Sequence, residues 1–198
     1  MNIVFDLGGV VFKWQPDNII ASVFDKPEIR RVVKQEIFQH PDWLALDRGT
    51  LDYEHAITRA AVRTGLSEKD IRKLLEQVPN HLTPIEGSFE LIKELAILKK
   101  PLFVLSNMHF ASIAHLERSH DIWDQFSGKV ISCRINKMKP EPDIYHHLLD
   151  NFDLIPEQTV FIDDTEINLS AAAELGIRTI KFRSAAQCRD SLVKMGCI

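Results

Sequence analysis

The sequence predicts an α/β fold, a doubly wound parallel sheet interrupted by a small inserted domain of helices. The N-terminal run is apolar and strand-like, and a long stretch with helical periodicity follows it. After Pro84, strand-like and helix-like segments alternate, which is typical of a parallel sheet with helices on both faces. We therefore expect a core domain formed by residues 1–14 and 84–198, and a helical domain formed by residues 15–83.

The first strand and the helical block occupy the N-terminal part of the chain. Residues 1–12 are rich in Val, Ile and Phe, which favour a buried strand. Residues 27–38 begin with proline and repeat apolar side chains at helical spacing, and residues 51–64 show the same spacing up to Gly65. Residues 67–78 begin with a serine cap and acidic side chains, which indicates a third helix.

The segments after Pro84 alternate between two patterns. Short runs of Leu, Val, Ile and Phe predict buried strands, whereas longer amphipathic or Ala-rich runs predict helices. The predicted strands are 102–105, 129–133, 159–162 and 178–182, and the predicted helices are 88–100, 111–118, 143–152 and 167–175.

The bulk composition is that of a globular protein, and it excludes several classes of function. The 198 residues are 45% hydrophobic and 26% charged with a net charge of −4, so nothing predicts a nucleic-acid partner. No apolar run reaches the roughly 18 residues that a membrane span needs, and a signal peptide is not expected. The three widely spaced cysteines form no metal-binding pattern, which favours reduced thiols in a cytoplasmic protein. A monomer and a homodimer both fit the sequence.

Polar residues stand where the predicted strands end. Asp6 follows the first strand, Ser106 and Asn107 follow the second, and Asp163 and Asp164 follow a later one. The carboxyl ends of parallel strands meet at one edge of the sheet, where ligands bind. We therefore expect these side chains to share one crevice.

A lysine in a stiff loop completes this set. Lys139 is followed by Pro140 and Pro142, which hold the loop extended. A phosphate monoester dianion that approaches carboxylates is repelled, and an ammonium group and one divalent cation would neutralise that repulsion. Hard oxygen ligands favour magnesium as the cation. Asp6 would then attack phosphorus to form an aspartyl-phosphate, which water hydrolyses.

These residues resemble the motifs of the haloacid dehalogenase superfamily in their order and spacing. The matching segments are IVFDLGGVV (3–11), LSN (105–107), KPEPDIY (139–145) and FIDDTEINLSAAAELG (161–176). With the elements between them they span almost the whole chain, and the resemblance implies a Rossmann-like core. The helical block at residues 15–83 looks like the family's cap, which closes over the crevice and selects substrate.

The resemblance implies catalytic and metal-binding roles. Asp6 is expected to be the nucleophile, and Lys139 is expected to steady nucleophile and phosphate. Magnesium is expected to bind Asp6, Asp164 and the backbone carbonyl of Gly8. Asp163 would support this metal site or act as an alternative ligand.

The resemblance also implies a set of substrate-binding residues. Ser106, Asn107 and Gly9 are assigned to the substrate, with Ser106 binding the phosphoryl group. The DLGGV form of the first motif is similar to that of bacterial phosphatases acting on α-glucose 1-phosphate, and the run DWLALDRG (42–49) also resembles that subgroup. Within this run, Trp43 is either an aromatic floor for a sugar or a buried helix anchor. Arg48 either reaches the substrate or forms a surface ion pair.

One position departs from the family pattern. Phosphatases of the superfamily usually carry a second aspartate two residues after the nucleophile, where this chain has Gly8. Loss of an acid–base group typically lowers a rate by roughly 10²–10⁴-fold. We therefore expect an enzyme that is slow or that selects good leaving groups, such as the sugar of a sugar 1-phosphate.

Three functions follow as hypotheses from these residues. The first is a magnesium-dependent phosphatase of a small phosphorylated metabolite, with a sugar phosphate as the expected substrate. The second is a metal-free 2-haloacid dehalogenase, which would have no need of the adjacent carboxylates of Asp163 and Asp164. The third is a degenerate phosphatase that only binds a ligand or partner, which would have no need of the nucleophile Asp6.

Overall fold

The computed structural model describes residues 1–198 and contains one five-stranded parallel sheet. The strand order is β3-β2-β1-β4-β5, with β1 at the centre and every neighbouring pair parallel. The strands are β1 (Asn2–Phe5), β2 (Leu102–Ser106), β3 (Gly128–Ile131), β4 (Thr159–Asp163) and β5 (Arg178–Lys181). The predicted α/β fold class with a doubly wound parallel sheet is therefore confirmed.

Eleven α-helices flank the sheet or lie within the insertion after β1. Their bounds are α1 (Pro16–Ala21), α2 (Pro27–Val33), α3 (Pro41–Arg48), α4 (Tyr53–Thr64), α5 (Glu68–His81), α6 (Ser88–Ile97), α7 (Phe110–Ser119), α8 (Ser132–Ile135), α9 (Pro142–Asn151), α10 (Glu166–Glu174) and α11 (Ala185–Lys194). None of these helices has the length and apolar character required to cross a membrane.

The two faces of the sheet carry separate apolar clusters, because side chains alternate along a strand. Ile3 and Phe5 of β1 belong to the cluster that packs against α6, α7 and α11. Val4 belongs to the opposite cluster, which packs against α9 and α10. Helices therefore cover both faces and leave the carboxyl ends of the strands as the accessible edge.

The helical segment, residues 15–83, has an apolar cluster of its own, formed by 14 buried residues between Ile19 and Val78. Its two ends lie side by side, because Lys13 N donates to Thr83 O at 2.8 Å and Phe12 forms an antiparallel bridge with Pro84. The division of the chain into two domains stays a prediction, supported by this separate cluster.

Several element boundaries differ from those predicted. β1 ends at Phe5 rather than at residue 12, since Asp6 to Phe12 form a turn closed by hydrogen bonds to the Leu7 carbonyl. β3 ends at Ile131 because α8 begins at the next residue. The helix predicted at 27–38 changes to π-helical geometry at Lys34–Phe38. Helix α11 was not predicted, although Ser184 caps it by accepting from Gln187 N.

Candidate active site

The central strand places Asp6 beside the end of β4. Phe5 pairs with Ile162 in the parallel register, so Asp6 and Asp163 each stand one residue beyond this pair. Asp6 N donates to Ile162 O at 2.9 Å, which extends the ladder to the first residue past β1. The two carboxyl groups therefore lie at the same edge of the sheet, as the sequence predicts.

A buried lysine bridges these two carboxylates. Lys139 Nζ lies 2.9 Å from Asp6 Oδ2 and 2.6 Å from Asp163 Oδ2. The lysine side chain is 1% exposed, and the Asp163 side chain is completely buried. Buried charges persist only when they are paired, so these three groups form one electrostatic unit.

The pKa values in this unit reflect burial and pairing. Burial raises the pKa of Asp6 above its usual range, and the Lys139 ammonium opposes that rise. For Lys139, burial alone would lower the pKa, but the Asp6 and Asp163 carboxylates raise it above its ordinary value. The lysine therefore stays protonated and balances part of the negative charge at the strand ends.

Asp163 is occupied by hydrogen bonds on both oxygens. Oδ2 binds Lys139 Nζ, and Oδ1 accepts from Thr165 N at 2.7 Å. Asn168 Nδ2 lies within 3.2 Å of Oδ1 and 3.1 Å of Oδ2. The carboxylates of Asp6, Asp163 and Asp164 still lie within 4.8 Å of one another, and Asp164 is the exposed member. This geometry favours Asp6 and Asp164 as metal ligands and Asp163 as the group that positions Lys139.

The two polar residues at the end of β2 have different environments. Ser106 is completely buried, and its Oγ has no hydrogen-bond partner, although it lies near enough to Asp6 to lower the pKa of that carboxyl. Asn107 Oδ1 accepts from Lys139 N and Asn107 Nδ2 donates to Lys139 O, both at 2.9 Å. Asn107 therefore holds the backbone of the lysine loop and also lines the cavity at the strand ends, whereas Ser106 does not line that cavity and its hydroxyl has no hydrogen-bond partner.

The glycines after Asp6 also differ. Gly8 lines the cavity at the strand ends. Gly9 does not, and its N–H donates to Phe12 O at 2.8 Å inside the turn. Gly9 has φ of +78°, and a Cβ there would overlap the Asp164 carboxylate. The structure therefore gives Gly9 a role in packing against Asp164 and does not bring it to the cavity at the strand ends.

A cavity of about 520 Å³ lies between the strand ends and the helical segment. Asp6, Lys139 and Asp164 line one side, and an aromatic wall formed by Trp14, Phe38 and Trp43 lines the other. These three rings pack with centroid distances between 4.6 and 5.9 Å. The cavity thus combines a charged end with an apolar wall.

The two ambiguous residues of the DWLALDRG run have different surroundings. Trp43 is 7% exposed, so it is both a buried anchor of α3 and part of the cavity wall. The Arg48 guanidinium forms a bidentate ion pair with the Glu141 carboxylate, two residues after Lys139. The structure does not bring Arg48 to the cavity. Of the two alternatives for this residue, contact with the substrate or an ion pair, the structure shows the ion pair.

Three titratable residues of the cavity, Lys34, Asp47 and His109, are not among those predicted from the sequence. Asp47 lies in the last turn of α3, and burial raises the pKa of its carboxyl to about 7. His109 is 3% exposed, and burial lowers the pKa of its imidazole to about 4. One signal was available for Asp47, since it follows Trp43 by four residues and so shares a helix face with it.

Comparison with known proteins gives consistent matches. A model of the haloacid dehalogenase-like hydrolase family matches residues 48–182. The sesquiterpene phosphatase of Aspergillus oryzae is 25% identical over 195 residues, covering 98% of this chain and 96% of that protein. The D-ribitol-5-phosphate phosphatase of Bacteroides thetaiotaomicron is 31% identical over 218 residues, covering 96% of each.

A solved structure shares the fold. It is that of a haloacid dehalogenase family enzyme from Bacteroides thetaiotaomicron in complex with magnesium and inorganic phosphate. Its TM-score to this chain is 0.74 at 23% identity, over 92% of this chain and 94% of that one.

Proposed function

The chain belongs to the haloacid dehalogenase-like hydrolase family, and from this premise we propose that it is a magnesium-dependent phosphomonoesterase of small phosphorylated metabolites. The observation that carries the proposal is the buried Asp6–Lys139–Asp163 unit beside the unpartnered Ser106 hydroxyl. A carboxylate nucleophile, a fixed cation and a free hydroxyl donor are the groups that phosphoryl transfer through an enzyme ester requires. Two relatives that match nearly the whole chain are phosphatases, which supports the same reaction.

The side chains of the unit suit an in-line attack on phosphorus. Asp6 Oδ1 accepts from Leu7 N at 2.7 Å and Oδ2 pairs with Lys139, so the carboxylate is held in one orientation. Attack on the phosphoryl group releases the alcohol and leaves an aspartyl-phosphate, which water then hydrolyses. Lys139 neutralises charge on the phosphoryl oxygens, and the Ser106 hydroxyl donates to one of them.

The donor set of the site fits magnesium. Asp6 and Asp164 would hold the ion together with the Gly8 carbonyl, and these are the hard oxygen ligands that it prefers. A bound magnesium ion supplies positive charge that polarises the phosphoryl group. Asp163 acts beside it by fixing Lys139, because both of its oxygens are already hydrogen-bonded.

Substitution Gly9→Ala tests the contact between Gly9 and Asp164. The added Cβ displaces the Asp164 carboxylate, so we expect the magnesium concentration that gives half-maximal activity to rise about tenfold. The positive φ adds a loss of about 1 kcal/mol in the free energy of unfolding. Titration of activity with magnesium and urea unfolding measure the two effects.

Gly65→Ala is the matched control for this variant. Gly65 has φ of +70°, and nothing lies within 4 Å of the position that a Cβ would take, so it carries the backbone strain without the overlap. Equal magnesium requirements in the two variants would contradict the role given to Gly9.

The helical segment would act as the cap of this enzyme. It supplies Phe38 and Trp43 to the cavity and has an apolar cluster of its own. A cap of this kind excludes water from the reacting phosphoryl group and selects the substrate.

For the substrate we propose a sugar phosphate, whose ring would stack on the aromatic wall. The relative that acts on D-ribitol 5-phosphate supports a polyhydroxylated substrate. The apolar wall and the exposed Leu44 and Ile167 at the cavity also fit a hydrophobic phosphate ester, and one relative is a sesquiterpene phosphatase. A panel that contains both classes of ester separates them.

The deciding experiment measures phosphate release from this panel with and without magnesium. We expect hydrolysis of at least one sugar phosphate, and a fall of at least about 10²-fold when magnesium is removed by chelation. Release of halide from 2-haloacids without metal would instead indicate a dehalogenase. Binding of a phosphate ester without turnover would indicate a degenerate phosphatase.

A further inference from the structure

The site lacks an obvious proton donor for the leaving group. Gly8 has no side chain at the position where the family usually has an acid, although a Cβ there would meet only Trp14 Cβ, at 3.9 Å. Packing therefore does not explain the absence. The titratable residues that line the cavity are Asp6, Lys34, Asp47, His109, Lys139 and Asp164.

Most of these groups already have another partner. Asp6, Lys139 and Asp164 belong to the charged cluster at the strand ends. The half-exposed Lys34 pairs with Asp17 at 2.8 Å. This leaves Asp47 and His109 as candidates for proton transfer.

His109 has both ring nitrogens engaged. Nδ1 accepts from Ser112 N at 3.4 Å as the N-cap of α7, and Nε2 lies 3.0 Å from Ser112 Oγ. Burial lowers the pKa of the imidazole to about 4, so the ring is neutral near pH 7. A neutral imidazole that is committed to a helix cap is a poor proton donor.

The carboxyl of Asp47 has no ion-pair partner. It lines the same cavity as Asp6, and no ion pair engages it, whereas Asp42 on the same helix pairs with Arg63 and Arg59. It lies at the C-terminal end of α3, where the helix dipole disfavours an anion. Burial raises its pKa to about 7 and the nearby Asp6 carboxylate adds to the rise, although hydrogen bonds from the His109 backbone and the Trp43 side chain act to lower it.

Contacts to the core hold Asp47 in place. Its carbonyl accepts a hydrogen bond from Ser132 Oγ, which in turn accepts from Met108 N. The next residue is also fixed, since Arg48 O accepts from Asn136 Nδ2 at 3.0 Å. A Cβ at Gly49 would overlap the backbone of Cys133, so the end of α3 fits closely against the core.

We propose that Asp47 is the general acid and base of the reaction, supplied by the helical segment in place of a side chain at position 8. Its carboxyl gives its proton to the ester oxygen as the bond from that oxygen to phosphorus breaks and the bond from Asp6 to phosphorus forms. The resulting Asp47 carboxylate then takes a proton from the water that attacks the aspartyl-phosphate. Inorganic phosphate leaves, and Asp6 and Asp47 return to their starting states. This assignment rests on the proposed phosphatase function.

The test compares leaving groups in single turnovers of the magnesium-loaded enzyme. Benzyl phosphate releases a poor leaving group that needs a proton, whereas 4-nitrophenyl phosphate has a similar shape and releases a good one. For Asp47→Asn we expect bond cleavage to fall roughly 10²-fold or more with benzyl phosphate and less than about tenfold with 4-nitrophenyl phosphate. A structural role would lower both rates alike.

Asp42→Asn is the matched control on the same helix, because Asp42 pairs with arginines and does not line the cavity. We expect it to leave the ratio of the two rates unchanged. Equal losses on both esters in Asp47→Asn, or no loss on either, would overturn the proposal. If the wild-type enzyme hydrolyses neither ester nor any member of the wider panel, the proposed function itself fails and the role of Asp47 fails with it.

Discussion

Asp6→Asn is expected to reduce phosphate release by at least about 10³-fold, because an amide cannot attack phosphorus as a carboxylate does. The substitution keeps the size of the side chain, and Lys139 retains its contact with Asp163 at 2.6 Å. The variant should therefore fold and still bind phosphate. Single-turnover phosphate release measures the chemical step, and phosphate protection against thermal unfolding measures binding.

Asp190→Asn is the control for this prediction, since Asp190 is exposed on α11 and does not line the cavity. It should have wild-type activity. An Asp6→Asn enzyme with more than about a tenth of the wild-type rate would exclude Asp6 as nucleophile, because removal of a nucleophile has far larger effects in other enzymes.

Lys139→Met is expected to lower the free energy of unfolding by about 3–5 kcal/mol, the typical result of leaving a buried charge without its partner. Asp6 and Asp163 would then face each other without a cation between them. The loss should shrink below neutral pH, because a carboxyl whose pKa is raised by folding binds protons more readily in the folded state. Urea unfolding at several pH values measures it, and activity should be lost at all of them.

A second variant tests the cause of that loss. Lys139→Met combined with Asp163→Asn removes one of the two buried carboxylates, so we expect the double variant to be more stable than Lys139→Met but still inactive. Lys181→Met, which breaks the exposed pair between Lys181 and Glu166, should change stability far less. Strictly additive losses in the double variant would contradict the electrostatic unit.

The strand ends could be predicted from the sequence because they depend on local patterns. An apolar run followed at once by Asp6, or by Asp163 and Asp164, shows both the strand and the polar group beyond it. Parallel pairing then brings these groups to one edge whatever the details of the helices. Lys139 was instead predicted from its stiff loop and from the family resemblance, and the structure has its ammonium group within hydrogen-bonding distance of Asp6 and Asp163.

Residues of the helical segment were harder to assign because their role depends on how the segment meets the core. Spacing alone puts Asp47 on the same helix face as Trp43, but only tertiary packing turns that face towards Asp6. The same contact turns Arg48 away from the cavity and towards Glu141. The role of Gly9 was not predicted for a different reason, because its close approach to Asp164 joins residues 155 positions apart.

The lysine loop, residues 136–141, is held from two sides. Asn136 and Glu141 bind Arg48 of α3, while Lys139 between them binds Asp6. A displacement of α3 would therefore pull on the segment that carries the Lys139 ammonium group. Charge balance at Asp6 therefore depends on the position of α3, because a displaced α3 would also disturb the contact between Lys139 and Asp6. The contacts between α3 and the lysine loop would therefore suppress reaction at Asp6 whenever α3 is displaced and bulk water can enter the site.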